Sequence, residues 1–130
     1  MISHICLGTN RFEDALAFYS AVLPPLGWKE RWVDRDNGNA GWEPEAGGRP
    51  LFFIGRPFDG HAADAGNGQM TALLASSRAA VDAFYDACLA NGGSDEGGPG
   101  LRPHYHPDYY GAYVRDPDGN KLCACCHQAE

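Results

Sequence analysis

The stretch Ala15-Leu16-Ala17-Phe18-Tyr19-Ser20-Ala21-Val22-Leu23 returns later in the chain as Val81-Asp82-Ala83-Phe84-Tyr85-Asp86-Ala87-Cys88-Leu89, with identities at Ala17/Ala83, Phe18/Phe84, Tyr19/Tyr85, Ala21/Ala87 and Leu23/Leu89. A unit that occurs only twice in 130 residues cannot build a solenoid, which needs three or more copies to cover its core. It predicts two similar supersecondary units packed together, with any site between them. At 44% hydrophobic and 12% aromatic the chain can fill one core without disulfides. The expectation is a single domain over 1–130: module one about 1–56, a connector about 57–67 and module two about 68–127.

A net charge of -7 with no Lys/Arg cluster argues against nucleic acid and anionic membrane surfaces as partners. No apolar run approaches a membrane span and no leader-like start follows Met1, which predicts a cytoplasmic protein. The five cysteines are odd in number and Cys123, Cys125 and Cys126 crowd together. Both facts fit a reducing compartment, with the thiols as small apolar groups on a strand.

Ile2 to Leu7 reads as a strand. Asn10, answered by Glu13, reads as the cap of a helix that runs to Leu23 and is stopped by Pro24-Pro25. Gly27–Val33, Ala40–Glu43 and Leu51–Ile54 read as three more strands, so half one is βαβββ. In half two, Gln69–Ala75 mirrors the first strand, and Ser76 or Ser77 caps a helix whose buried stripe is Val81, Phe84, Cys88 and Leu89. Tyr110–Arg115 and Lys121–His127 flank Asp116-Pro117-Asp118-Gly119-Asn120 and should form a hairpin. Gly97-Gly98-Pro99-Gly100 reads as a turn and not a phosphate cradle, because no Lys or Ser/Thr follows.

Ile2-Ser3-His4-Ile5-Cys6-Leu7, the Ala17-Phe18-Tyr19 helix and Tyr109-Tyr110-Gly111-Ala112-Tyr113-Val114-Arg115-Asp116-Pro117-Asp118-Gly119-Asn120-Lys121-Leu122 resemble the glyoxalase/bleomycin-resistance/dioxygenase (vicinal oxygen chelate) superfamily. The resemblance covers nearly the whole chain. It implies an α+β fold of two βαβββ modules whose paired curved sheets surround a cavity, often in a homodimer whose second subunit completes the pocket. It leaves function open, since one scaffold carries lyases, isomerases, dioxygenases and drug-sequestering proteins.

The resemblance also implies four metal-ligand corners in the metal-dependent members, on the first and last strand of each module. His4 matches the first. The shift that carries Ala17 onto Ala83 carries His4 onto Met70, where a second His is expected. Aligning Leu51 with Leu122 pairs Phe52 with Cys123, where carboxylates are expected. With three corners lacking their donors, no metal ligand set and no cofactor are assigned, and a divalent metal is disfavoured. His4, Met70 and Cys123 as a soft copper or zinc trio is the weaker alternative to Met70 and Cys123 as apolar pocket wall.

His104 and His106, flanked by Pro103 and Pro107, read as a loop bordering the cavity, with His104, Tyr105, His106, Tyr109 or Tyr110 as ligand contacts. His127 is expected to be exposed. The Leu51/Leu122 alignment, extended backwards, pairs Trp42 with Tyr113 as facing aromatics for a planar ligand. No Ser or Cys nucleophile can be paired with a base on spacing alone. Two functions follow for a small organic ligand: a divergent, metal-poor enzyme in which His4 orients substrate or moves a proton, or a non-catalytic binder with His4, Met70, Cys123, Phe52, Trp42, Tyr113, His104, Tyr105 and His106 around the compound.

Overall fold

The computed structural model describes residues 1–130. Module one runs β1 (His4–Gly8), α1 (Phe12–Val22), β2 (Lys29–Asp34), β3 (Asn39–Glu43) and β4 (Leu51–Gly55). Module two runs β5 (Thr71–Leu74), α2 (Arg78–Ala90), β6 (Ser94–Leu101), β7 (Tyr110–Arg115) and β8 (Lys121–Cys126). The two sheets have the same order, β1-β4-β3-β2 and β5-β8-β7-β6. In each, the first strand lies parallel to the last, and the other neighbours are antiparallel. The two-module α+β expectation is therefore what the chain forms.

Both helices cover the same side of the sheets and share one core. Ala15, Leu16, Phe18, Tyr19 and Val22 of α1 pack with Phe84 and Cys88 of α2, with Trp42, Phe52 and Ile54 of module one, and with Leu73, Val114, Leu122 and Ala124 of module two. Leu89 does not complete the α2 stripe; it is 44% exposed, because the register of the helix buries Val81, Phe84 and Cys88 instead.

Two further local expectations change, and one is narrowed to a single residue. Asn10 does not cap α1: its side chain is engaged by the connector, accepting from Ala63 N at 2.7 Å and donating to Ala63 O at 3.1 Å, and Arg11 is the N-cap without a side-chain bond. Ser77, the second of the two serines considered, does cap α2 by accepting from Ala80 N. Gly97-Gly98-Pro99-Gly100 lies inside edge strand β6 and is not a turn. Irregular pairing between Asp95 and Gly97 and again between Gly97 and Gly100 accommodates the positive φ of Gly97, and an edge position tolerates a proline without N–H.

The hairpin from Asp116 to Asn120 joins the modules. Asp116 Oδ1 accepts from the backbone N–H of Asp118 and of Asn120, while Oδ2 accepts from the Tyr19 hydroxyl of α1. Asn120 Nδ2 donates to Gly8 O on β1, and Asp118 Oδ1 accepts from Asn10 N. No ladder links β1 to β5.

Candidate functional site

Side-chain parity decides which residues reach the helix-free face of the sheets. On β4, Phe52 and Ile54 enter the helix-side core; on β8, Leu122 and Ala124 do. Phe52 is thus the counterpart of Leu122, and the residue matching Cys123 is Phe53. Register agrees: Cys6 faces Phe53 across β1/β4 as Ala72 faces Cys123 across β5/β8, and the repeat shift carries Cys6 onto Ala72. The Leu51/Leu122 alignment slips by one residue, and a one-residue slip in a strand exchanges its faces.

This corrects two expected pocket residues. Phe52 is fully buried against Tyr19, with ring centroids 5.1 Å apart, and Trp42 is 1% exposed on the same side, 6.0 Å from Tyr19. Neither faces Tyr113. The β3 residue that corresponds to Tyr113 is Gly41, opposite Phe53, and the Trp32 ring occupies the space a Gly41 Cβ would take.

The four corners of the helix-free face are therefore His4, Met70, Phe53 and Cys123. His4 stacks on Phe53 with centroids 5.0 Å apart, and its Nδ1 is 3.1 Å from Ser3 Oγ. Phe53 has no donor atom and Met70 offers only a thioether. A hard divalent cation has too few ligands at these corners, and no three His, Cys, Asp or Glu side chains converge elsewhere. The soft trio of His4, Met70 and Cys123 does not assemble either: Cys123 is fully buried beside the Tyr109 hydroxyl, while His4 is engaged with Phe53.

The chemistry gathers on module two. Met70, Tyr105, His106, Tyr109, Tyr113, Lys121 and His127 line an open groove of about 520 Å³. Tyr105 and His106 are in it, and Tyr113 forms its wall; His104 lies outside, its ring 4.2 Å from that of Tyr105. The segment between Pro103 and Tyr109 is folded by turns, Tyr105 N to Arg102 O and Tyr109 N to His106 O, so His104 and His106 do not point the same way as they would on a strand. Lys121 Nζ and the Arg102 guanidinium lie over the Tyr113 ring at 5.9 and 5.6 Å. The groove lining carries a cation and no carboxylate.

Under the groove floor runs a polar network that periodicity alone makes partly visible, because Cys123, Cys125 and His127 share one face of β8 and its extension. The Tyr109 hydroxyl is 3.0 Å from that of Tyr113 and 3.6 Å from Cys123 Sγ. Cys125 Sγ is 3.5 Å from His127 Nε2, and His127 Nδ1 is 2.8 Å from His106 Nε2. Desolvation, with the Tyr113 and Cys123 contacts added, raises the Tyr109 pKa. The proximity of the Cys123 thiol, with Tyr109 and His127 adding to it, lowers Cys125 to about 6, and the proximity of Cys125 together with desolvation raises Cys123. His127 is exposed, as expected, but it closes this network; Cys125 in the network and Lys121 in the groove lining are the residues that the sequence did not single out as site residues.

The family model for the Glyoxalase/Bleomycin resistance protein/Dioxygenase superfamily matches residues 1–124. A glyoxalase/bleomycin resistance protein from Albidiferax ferrireducens T118 is similar over 97% of this chain and 98% of its own, at 37% identity and a TM-score of 0.86. A glyoxalase-related enzyme from Fulvimarina pelagi (18% identity, TM-score 0.73, 97% and 87% covered) and a lactoylglutathione lyase from Agrobacterium tumefaciens (21%, 0.64, 97% and 92%) share the fold. A search of curated proteins gives no match. Paired βαβββ modules, the repeat and the family match agree, and the chain belongs to the glyoxalase/bleomycin resistance protein/dioxygenase superfamily.

Proposed function

We propose that this protein binds a small planar organic molecule carrying a carbonyl or carboxylate oxygen in the module-two groove, and does so without a hard divalent cation. The observation that carries the reading is the groove lining: Tyr105, Tyr109 and Tyr113 present aromatic surface, Lys121 supplies one cation, and no carboxylate lines the groove to repel an oxyanion. Stacking fixes the plane of the ligand, and Lys121 with the Tyr113 hydroxyl fixes its oxygen end. His104, although outside the groove, supports the Tyr105 ring.

A catalytic reading keeps one supporting observation. His4 lies exposed on the helix-free side with Nδ1 engaged by Ser3, which leaves Nε2 for proton transfer to a ligand reaching across the β1/β5 seam. Cys6 and Met70 line that seam together, so a ligand in the groove has Met70 as its nearest neighbour toward β1. A homodimer whose second subunit caps the groove belongs to the same reading.

Calorimetric titration with trans-cinnamate, planar and anionic, tests the binding claim. Saturable binding weakened about ten-fold by Tyr113→Ala, or about 1.4 kcal/mol, is expected; no heat of binding in chelated buffer at millimolar ligand would sink it. Turnover of any ligand that survives His4→Ala unchanged would remove the catalytic reading.

A further inference from the structure

We propose that Cys125 is a nucleophilic thiolate that adds reversibly to α,β-unsaturated carbonyl compounds held in the module-two groove. The inference deepens the binding reading above and rests on it for ligand placement.

The geometry fixes the direction of every proton in the relay behind Cys125. Asp108 N donates to His106 Nδ1 at 3.2 Å, so in the neutral ring Nδ1 is bare and the proton sits on Nε2. That Nε2–H donates to His127 Nδ1 at 2.8 Å, which leaves the His127 proton on Nε2, directed at Cys125 Sγ 3.5 Å away. His127 therefore presents a donor to the sulfur, not a base, and a donor stabilises a thiolate. Cys123 shares this face of β8 with Cys125, and the Tyr109 hydroxyl lies 3.6 Å from Cys123 Sγ. On the flanking strands the register partners are Leu74 on β5 and Gly111 on β7, neither of which brings a charge. These contacts agree with the depressed pKa of Cys125.

Cys125 is 5% exposed and lies under the Tyr109 ring, which rests where a Gly111 Cβ would stand. Cys125 is not part of the groove lining, so a flat ligand must first displace the Tyr109 ring; its β-carbon then approaches the sulfur while the Tyr109 and Tyr113 hydroxyls face its carbonyl oxygen. The thiolate pair forms the S–C bond, the C=C π pair moves onto the carbonyl as an enolate, and the enolate takes a proton at its α-carbon, relayed from the tyrosine hydroxyls and replaced from solvent. No electrons enter or leave, and the reverse β-elimination returns thiolate and ligand. His106 is a positioning residue, since it acts only by holding the His127 tautomer.

The test uses two probes of one skeleton on full-length protein carrying Cys6→Ser, which removes the exposed thiol. trans-Cinnamate reads binding; trans-cinnamaldehyde, followed by borohydride to reduce the aldehyde and prevent elimination, reads capture by intact mass and fragmentation of the C-terminal peptide. One adduct on Cys125 is expected, none with Cys125→Ser, and a pH midpoint of capture displaced upward by about one unit, a ten-fold loss of thiolate at low pH, in His106→Leu and His127→Ala. Cinnamate binding with no Cys125 adduct overturns the nucleophile and leaves the binding reading standing. A Cys125 adduct without cinnamate binding overturns the binding reading. An unmoved pH midpoint in both histidine variants overturns the relay.

Discussion

The Tyr19 hydroxyl donates to Asp116 Oδ2 at 2.5 Å, and this buried bond runs from the helix of one module to the hairpin of the other. The hairpin sequence is thereby a structural clasp. Its aspartate organises its own turn through two backbone N–H groups and simultaneously anchors α1.

Tyr19→Phe removes one donor to a carboxylate that Asn120 Nδ2 still serves. A loss of about 2 kcal/mol is expected, as for hydrogen bonds to charged groups. Asp116→Ala strands Tyr19 OH and the N–H groups of Asp118 and Asn120 together, so its loss should exceed that of Tyr19→Phe. Urea unfolding midpoints check both.

Alkaline pH should weaken the fold. Burial and the neighbouring Asp116 raise Tyr19 above its usual 10.0 and push Cys88 from 9.0 up to about 12. Both groups keep their protons in the folded state where the unfolded chain releases them. Their contribution is complete below pH 9 and is lost as pH rises toward 12. Stability against pH should fall over that window, and less steeply in Cys88→Ala.

Gly93 has no room for a side chain. An added Cβ would lie 2.8 Å from Cys88 O, 2.8 Å from the Phe18 ring and 2.9 Å from Arg115 O, two of which are backbone atoms that cannot swing away. Gly93→Ala should cost about 2–3 kcal/mol through overpacking, read from thermal or urea unfolding.

Gly111→Ala puts a methyl 2.9 Å from Tyr109 Cε1, the outer part of a movable ring. The ring shifts and the fold survives, with a stability change below about 1 kcal/mol. Cinnamate affinity should drop about five-fold, near 1 kcal/mol, as the groove wall is displaced.

Chelation should leave this protein unaltered. With Phe53 and Met70 at two corners, dialysis against EDTA is expected to change neither the unfolding midpoint nor cinnamate affinity; a fall in either would show that an ion had been present.

The helices and the hairpin were legible in the sequence because their signals are local: a 3.6-residue apolar rhythm in Leu16, Tyr19, Phe84 and Cys88, and a Pro-Asp-Gly turn. Strand β6 was not, since Gly97-Gly98-Pro99-Gly100 has turn composition and becomes a strand only through pairing with β7. The corner residues were half legible. The repeat gave His4 and Met70, but the Leu51/Leu122 identity aligned opposite faces, and only burial of Phe52 against Tyr19 reveals Phe53 as the match for Cys123. The Cys125–His127 contact was implicit in their two-residue spacing; the His106 that completes it arrives from a loop whose turns the two flanking prolines did not disclose.

Every strand ladder closes inside its own half, β1 on β4 and β5 on β8. What unites the halves is side-chain packing under α1 and α2 and the few polar ties around Asp116 and Asn120. A second copy presents the same side chains, so two molecules trading their C-terminal halves would keep all peptide pairing intact. The conformation of the linking segment between Gly55 and Thr71 then decides whether a half finds its mate in its own chain or in a neighbour's.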